Sequence, residues 1–279
     1  MSRTAWFHCF AGTAGDMSMA ALVHAGADPG AVADLLGGLP LDGWALSFEP
    51  VLRGGIASTQ AHVAVLGDDR DDESGHQHAH DDAYGHDHHR AYRHIRQLLD
   101  DADLPARVRD RAQRTFRLLA EVEGAMHRMP VDDVEFHEVG SVDAIVDVVG
   151  TCAALEVLGI DRIVCSPIAV GHGTVRAAHG VLPNPAPAVV ELLARRGAPS
   201  RGIDDHRELA TPTGVALMTA LADSFGPMPA MSVEAIGYGA GTADIPGRPN
   251  TVQVVVGTET TQSAATGREG AGQPVQSFE

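Results

Sequence analysis

Residues 142–158 constrain the fold of this 279-residue chain more than any other segment. Ser141 precedes them as a suitable N-cap and Gly159 follows them as a stop signal, so the pattern predicts one helix. Valine, isoleucine, alanine and leucine make up most of that helix. A helix that is apolar nearly all round must be covered by other elements on several sides. The chain is therefore expected to build packed layers around it.

Strand-like and helix-like segments alternate along the rest of the chain. Strands are predicted at residues 4–10, 44–52, 56–66, 162–170, 233–237 and 251–256, and further helices at 17–25, around 95–99, and at 108–126, 186–195 and from 212. The second and third strands flank Arg53-Gly54-Gly55 and are expected to form a hairpin. Interleaved strands and helices favour an α/β fold in which helices flank a mixed sheet.

Composition and charge exclude several classes of function. The 37 acidic residues outnumber the 20 basic ones and give a formal charge of −17. That field disfavours nucleic acids and anionic membranes as partners. No apolar run reaches the roughly 20 residues of a membrane span, and the N-terminus lacks the pattern of a signal peptide. Three cysteines without CxxC spacing are typical of a reduced, cytoplasmic protein rather than of a thiolate-zinc protein.

Two segments contain too few apolar residues to join a core. Residues 67–89 are rich in Asp, His and Gly, and residues 258–279 in Gly, Ser, Thr and Gln, so both are predicted to be disordered and the domain to span residues 1–257. Imidazole suits nickel, zinc and copper. The first segment carries six histidines that could collect such a metal by mass action: His76, His78, His80, His86, His88 and His89. The alternative is a solvated insert without a role.

A second cluster lies at the start of the apolar helix. Asp143 and Asp147 are four residues apart, so they share one face of the helix. Buried carboxylates without a positive partner would destabilise the fold by several kcal/mol. The sequence contains no lysine, so the expected partner is either a metal ion or an arginine such as Arg111 or Arg162.

Loop histidines supply further candidate ligands. His172 lies between two glycines after a predicted strand and His179 follows soon after, so both are expected at one site, although a structural role suits either alone. His137 and Glu138 come directly before the apolar helix and could close on its aspartates. Residues 237–241 are predicted to form a loop of small residues that suits close ligand approach or a turn.

Small residues near the N-terminus suggest an anion site. Gly12 and Gly15 resemble a phosphate-cradling turn, although neither GxGxxG nor GxxxxGK[ST] is present. Thr211 and Thr213 open a predicted helix and could take a phosphate together with these glycines. Asp16, beside the turn, could instead hold a metal or a positive ligand group.

Six segments carry a resemblance when they are taken in order. They are CFAGTAGDM (9–17), FHEVGSVDAIVDVVG (136–150), VGHG (170–173), HGVLPNPAPA (179–188), ELATPTG (208–214) and GYGAG (237–241). Together they closely resemble the LarC family, nickel-insertion proteins that complete the nickel-pincer cofactor of lactate racemase. The similarity runs from about residue 5 to residue 257. His8 departs from the family pattern, which usually has Asp before the Cys-Phe pair.

The resemblance implies a cyclometallase that inserts nickel into a pyridinium-3,5-bisthiocarboxylate mononucleotide. Family members consume CTP with Mg²⁺ or Mn²⁺ on a C-terminal domain. Either a partner chain supplies that domain, or the chain is a stand-alone paralogue without the CTP-driven step; a homo-oligomer is also left open. Loops around residues 12–16, 137–147, 171–180 and 208–214 are expected to line one cleft. Carried over by motif, the site candidates are Asp16, His137, Glu138, Asp143, Asp147, His172, His179 and Glu208.

Two functions of other classes remain as alternatives. A nickel storage or delivery protein would bind the metal without catalysing any reaction. A hydrolase with a carboxylate–histidine metal centre would cleave phosphate esters without incorporating nickel.

Overall fold

The computed structural model describes residues 2–66, 90–136, 139–177 and 179–260. Within these ranges the chain forms seven α-helices, α1 to α7, at Gly15–His24, Pro29–Leu36, Tyr92–Asp101, Ala106–His127, Val142–Val157, Pro187–Arg196 and Pro212–Leu221. The same ranges contain thirteen strands, β1 to β13, at Arg3–His8, Trp44–Arg53, Ile56–Val65, Arg90–Ala91, Glu135–Phe136, Arg162–Cys165, Ile168–Val170, Thr174–Ala177, Gly180–Pro183, Ser200–Gly202, Ser224–Phe225, Met231–Ala240 and Thr251–Glu259.

A seven-stranded sheet forms the centre of the fold, in the order β11-β6-β1-β13-β12-β3-β2. β11, β6 and β1 are parallel, and β13 is antiparallel to both of its neighbours. β12 pairs in parallel with β3, which forms the expected antiparallel hairpin with β2. The mixed α/β architecture predicted from the sequence is therefore confirmed.

The first strand shows how the sequence positions the core. Ala5, Phe7 and Cys9 are fully buried, whereas Trp6 and His8 between them are only partly buried. This alternation follows because successive side chains of a strand point to opposite faces of the sheet. Helix α1 packs on β3, β12 and β13, and α5 packs against α1, α2 and α4. The apolar helix α5 is thus enclosed, as predicted.

Two glycines of β12 correct the prediction of a loop at residues 237–241. All but the last of these residues belong to the strand. A Cβ on Gly237 would lie 1.9 Å from the carbonyl oxygen of Ala21, and one on Gly239 would lie 1.8 Å from that of Met17. These glycines therefore allow α1 to lie directly on the sheet, which is a packing role.

Two strand boundaries also differ from the sequence prediction. The strand predicted at residues 162–170 is divided into β6 and β7, because Ser166 and Pro167 lead the chain out of the main sheet to a pair with β10. Proline has no N–H for a sheet ladder. β13 continues to Glu259, whose carboxylate accepts a hydrogen bond from Thr4 Oγ1 at 2.9 Å. The first two residues of the predicted tail therefore belong to the sheet, and residues 261–279 lie outside the described ranges.

The predicted helices are present with small shifts at their ends. α1 begins at Gly15, two residues before the predicted start, and α7 begins with Thr211 as N-cap, as expected. Helix α2 is absent from the sequence prediction, although Asp28 caps it by accepting the Ala31 N–H at 2.7 Å. Among the helices of the described ranges, none combines the length and apolar character needed to cross a membrane.

Candidate functional site

The loop between β1 and α1 is fixed against the segment that precedes α7. The Thr13 N–H donates to the Leu209 carbonyl at 2.9 Å, and the Thr211 N–H donates to the Thr13 carbonyl at 3.0 Å. Gly12 adopts φ +108°, and a Cβ there would lie 1.7 Å from the Leu209 oxygen, so only glycine fits this position. Two segments that are almost 200 residues apart, both predicted to line a site, therefore meet.

Two helices begin at this contact. α1 starts at Gly15, and α7 starts after Thr211, whose Oγ1 accepts the Gly214 N–H at 3.2 Å. A Cβ on Gly214 would lie 2.5 Å from the Thr13 carbonyl oxygen, so the two helix starts touch. The N-terminus of a helix carries positive partial charge. Two adjacent N-termini favour negative groups at this end of the fold.

The four residues predicted to bind phosphate all lie where the two helices begin. Gly12 and Gly15 are there because neighbouring segments leave no space for a side chain. The Thr211 hydroxyl caps α7, and Thr213 lies partly exposed in the first turn of that helix. Packing and capping account for the first three residues, and a phosphate role for any of the four stays a prediction.

Asp147 of α5 lies against the start of α1. A Cβ on Gly15 would lie 2.7 Å from the Asp147 Cβ and 2.9 Å from its Oδ2. The other carboxyl oxygen, Oδ1, is buried and has no hydrogen-bond partner. Nearby, Asp16 Oδ1 accepts the Met17 N–H at 2.7 Å. Buried polar atoms are nearly always paired, so the unpaired oxygen of Asp147 calls for an explanation beyond packing.

Burial raises the pKa of both carboxyls. The pKa of Asp16 rises from 3.8 to about 6 because the group is buried, although the Met17 N–H and nearby His62 act in the opposite direction. The pKa of Asp147 is raised well above 3.8, first by burial and then by the negative charges of Asp16 and Asp143. This carboxyl pair, Asp16 and Asp147, keeps protons that ordinary carboxyls lose, and a cation could replace them.

The structure gives different environments to the two aspartates that the sequence places on one helix face. Asp143 is exposed, whereas Asp147 lies one turn further into the protein. Neither arginine proposed as a structural partner pairs with Asp147. Arg111 donates to a backbone carbonyl at 2.6 Å, and Arg162 donates to the Ser224 hydroxyl at 3.1 Å. The alternative in which Arg111 or Arg162 neutralises Asp147 is therefore wrong.

A cavity of about 220 Å³ adjoins the segment before α7. Glu208 and Pro212 of that segment line it, together with Val139 before α5 and His179 at the tip of the β8–β9 hairpin. Three of the four loops expected to line one cleft thus contribute to a single cavity. The fourth loop, at residues 12–16, contacts the segment before α7 through the hydrogen bonds of Thr13.

The last turns of α4 form a wall of the cavity that the sequence reasoning missed. His127 Nε2 lies 3.3 Å from Glu123 Oε2. The His127 ring stacks on the His179 ring, with the ring centroids 5.1 Å apart and the planes inclined by 25°. Glu123 and His127 are four residues apart on a helix, and that spacing was the available signal.

His172 lies elsewhere, in contact with the loop before Glu208. Its Nε2 is 2.9 Å from Asp204 Oδ1, and its ring centroid is 4.2 Å from that of His206. β8 and β9 pair over four residues, so His172 and His179 lie at opposite ends of this hairpin. The two histidines expected at one site therefore do not meet.

The comparison with protein families decides where the chain belongs. Residues 5–271 match the model of the family described as nickel insertion protein. The chain belongs to the nickel insertion protein family. The matched range contains both the carboxyl pair and the cavity, and it confirms the resemblance on which the sequence interpretation depends.

Named relatives of this nickel insertion family member are considerably longer. The Geobacillus kaustophilus protein is 42% identical over 257 residues, which cover 91% of this chain and 60% of the relative. The Nocardioides protein is 44% identical over 254 residues, covering 91% and 60%, and a Staphylococcus epidermidis protein is 39% identical over 255 residues, covering 91% and 59%. All three are named pyridinium-3,5-bisthiocarboxylic acid mononucleotide nickel insertion protein. The comparison with solved structures found no match.

Many of the ligands predicted for this nickel insertion family member lie outside the described residues. They are His76, His78, His80, His86, His88, His89, His137 and Glu138. Within the described ranges, no three His, Cys, Asp or Glu side chains are already arranged to hold a metal ion. Ligand roles for the described candidates stay predictions: Asp143, Asp147, His172, His179 and Glu208.

Proposed function

We propose that this chain inserts nickel into pyridinium-3,5-bisthiocarboxylic acid mononucleotide, in the synthesis of the nickel-pincer cofactor of lactate racemase. The substrate is the one that appears in the names of the relatives. The observation that carries the proposal is the carboxyl pair, in which the Asp147 Oδ1 is buried without a partner and the pKa of Asp16 is about 6. Strongly perturbed carboxyls in a protein interior are typical of groups that bind a cation or move a proton.

Nickel is a substrate in this reaction and must leave with the product. Carboxylate oxygens are harder ligands than sulfur, so a site built on Asp16 and Asp147 would hold nickel more weakly than two thiocarboxylate sulfurs. Transfer from the protein to the organic ligand is then downhill. His179 and Glu208, which line the neighbouring cavity, would assist by holding the metal while the sulfurs replace the carboxylates.

Formation of the nickel–carbon bond requires a base. The ring C–H bond breaks, its electron pair forms the bond to nickel, and its proton passes to a carboxylate, so Ni²⁺ keeps its oxidation state. A base works best when its pKa lies near the working pH, and a carboxyl with a pKa of about 6 satisfies this requirement. We assign this proton acceptor to the carboxyl pair.

A CTP-binding complement is part of the proposal. The chain spans about 60% of the length of the relatives it matches, and we propose that a C-terminal complement, which binds CTP with Mg²⁺ or Mn²⁺, acts together with it. The carboxyl pair is proposed to hold nickel and to accept the ring proton. Both roles are tested with the CTP-binding complement present.

Asp16→Asn is expected to reduce nickel incorporation about 100-fold or more, because it removes the ionisable oxygen that takes the proton. The assay combines the chain, its C-terminal complement, CTP, Ni²⁺ and the mononucleotide, and mass spectrometry follows the nickel-containing product. Asp34→Asn, which neutralises an exposed carboxyl on α2, is the control and should keep the wild-type rate. An Asp16→Asn protein with a normal rate would show that the pair has no part in the reaction.

Nickel storage or delivery without catalysis is the alternative, and the concentration of seven of the 15 histidines between His76 and His94 favours it. Deletion of residues 68–89 separates the two functions. An insertase would lose most of its bound nickel but would still form product when nickel is in excess. A storage protein would form no product even as the full wild-type chain with its complement.

A further inference from the structure

We infer that the 220 Å³ cavity binds the planar pyridinium ring of the substrate, an inference that rests on the proposed function. Its walls come from α4, the β8–β9 hairpin, the start of α6 and the segment before α7. None of these walls includes Asp16 or Asp147. The inference therefore concerns the site where the ring first docks, and the ring must move from it to the carboxyl pair before its proton is removed.

The size of the cavity matches a single ring system. Cavities that enclose a drug-sized ligand usually have at least roughly 300 Å³. A volume of about 220 Å³ is too small for a whole mononucleotide but is adequate for one substituted six-membered ring. The ribose and phosphate would then remain outside the cavity.

The shape and composition of the walls suit a flat ring. Val139, Val175, Leu182 and Pro212 provide apolar contact. The stacked rings of His127 and His179 provide a flat aromatic edge. Aromatic rings favour offset stacking with other rings, and such pairs add to the gain from apolar burial. A saturated sugar has no aromatic face for ring-on-ring stacking.

The charges around the cavity match a ring that carries both signs. Glu123 and Glu208 are acidic, and the pyridinium nitrogen is positive. Arg176, on the hairpin side, is basic and suits a thiocarboxylate. Glu123 lies 3.3 Å from the His127 imidazole, so its charge is held close to the stacked rings.

Val175→Trp tests the inference by filling the cavity. The probe is nicotinic acid mononucleotide, a pyridinium mononucleotide with one carboxylate, and binding to the full chain is measured by calorimetry. We expect the substitution to weaken binding at least 10-fold. Val181→Trp is the matched control, because Val181 lies on the paired strand, is 65% exposed and does not line the cavity. This control should bind the probe within about twofold of the wild-type chain.

Two outcomes would overturn the inference. One is a folded Val175→Trp protein that binds the probe as tightly as the wild type, and the other is a wild-type chain that does not bind the probe at millimolar concentration. If Val175→Trp does not fold, Glu123→Gln decides, with an expected loss of about fivefold and an unchanged affinity as the contrary result. If nickel incorporation persists in a folded Val175→Trp protein, only the inference about the ring site is wrong. If the wild-type chain with its complement incorporates no nickel, the proposed function is wrong.

Discussion

Replacing Asp147 with asparagine is expected to stabilise the metal-free protein at pH 7.5 and to abolish nickel incorporation. Asparagine keeps the shape of the side chain but removes the charge whose burial raises the pKa of Asp147. Folded wild-type protein must either keep this carboxyl protonated or bury its charge, and asparagine avoids both, so we expect the free energy of unfolding at pH 7.5 to rise. Incorporation should fall about 100-fold or more, because an amide neither accepts the ring proton nor binds nickel well.

The stabilisation by Asp147→Asn should depend on pH with a definite sign. In the unfolded chain an aspartate loses its proton near pH 3.8, whereas folded Asp147 keeps it to a higher pH. The folded state binds more protons in that window, so the stability of the wild type falls as the pH rises through it. The asparagine variant does not titrate there, and its advantage should therefore be absent at pH 3.5 and complete at pH values above the raised pKa.

Urea unfolding at several pH values measures this effect, and Asp143→Asn provides the control. Asp143 lies on the same helix but is exposed, so its substitution should change the stability by no more than about 0.5 kcal/mol. An Asp147→Asn protein that is less stable than the wild type at pH 7.5 would mean that the charged carboxylate has a stabilising partner in the metal-free fold.

Gly12→Ala is expected to destabilise the fold strongly, although it adds only one methyl group. The added Cβ would lie 1.7 Å from the Leu209 carbonyl oxygen, at a residue with φ +108°. The segment before α7 would have to move, and the 2.9 Å hydrogen bond from Thr13 to Leu209 would break. We expect a loss of at least about 3 kcal/mol, from backbone strain, overpacking and the lost bond together.

Gly26→Ala isolates the contribution of backbone strain to this loss. Gly26 has nearly the same backbone angle, φ +109°, but an added Cβ there would meet nothing within 4 Å. Strain alone should therefore reduce stability by about 1 kcal/mol. Thermal unfolding of both variants tests the comparison. Equal losses at the two positions would show that the contact between residue 12 and Leu209 is not a rigid part of the fold.

The fold could be predicted from the sequence wherever hydrophobic patterns are long. The apolar run that becomes α5 indicates an enclosed helix, and the two strands around Arg53 indicate a hairpin. The errors occurred at glycine and proline. Gly237 and Gly239 were interpreted as a loop, because a sequence does not show that a glycine touches a helix in another part of the fold. Pro167 divides one predicted strand, and its missing N–H was a local signal that the prediction of a single strand overlooked.

The candidate site could be predicted only in part. Small neighbours in loops indicated Asp16 and His179, and the family resemblance indicated Glu208. The structure places Asp16 at the carboxyl pair and the other two at the cavity. Glu123 and His127 were missed because a glutamate and a histidine four residues apart on a polar helix usually form an ordinary surface pair. Their position in the cavity wall depends on how α4 packs, which requires the tertiary structure.

The separation of His172 from His179 has the same origin. Both histidines lie beside glycines in a short stretch of sequence, and that proximity suggested a shared site. A hairpin of four paired residues places them at its two ends, and the pairing became evident only in the structure. Short separation along a chain indicates proximity in a helix or a turn, but not along an extended strand.

A carboxyl titration by carbon-13 NMR tests the central claim most directly, namely that a half-buried carboxyl pair holds protons that it exchanges for a cation. The Asp16 signal is assigned by its loss in Asp16→Asn. We expect Asp16 to titrate near pH 6 in the metal-free chain, and we expect added Zn²⁺, as a diamagnetic substitute for nickel, to lower that midpoint by one pH unit or more. A midpoint near 3.8 that does not move when metal is added would contradict the account.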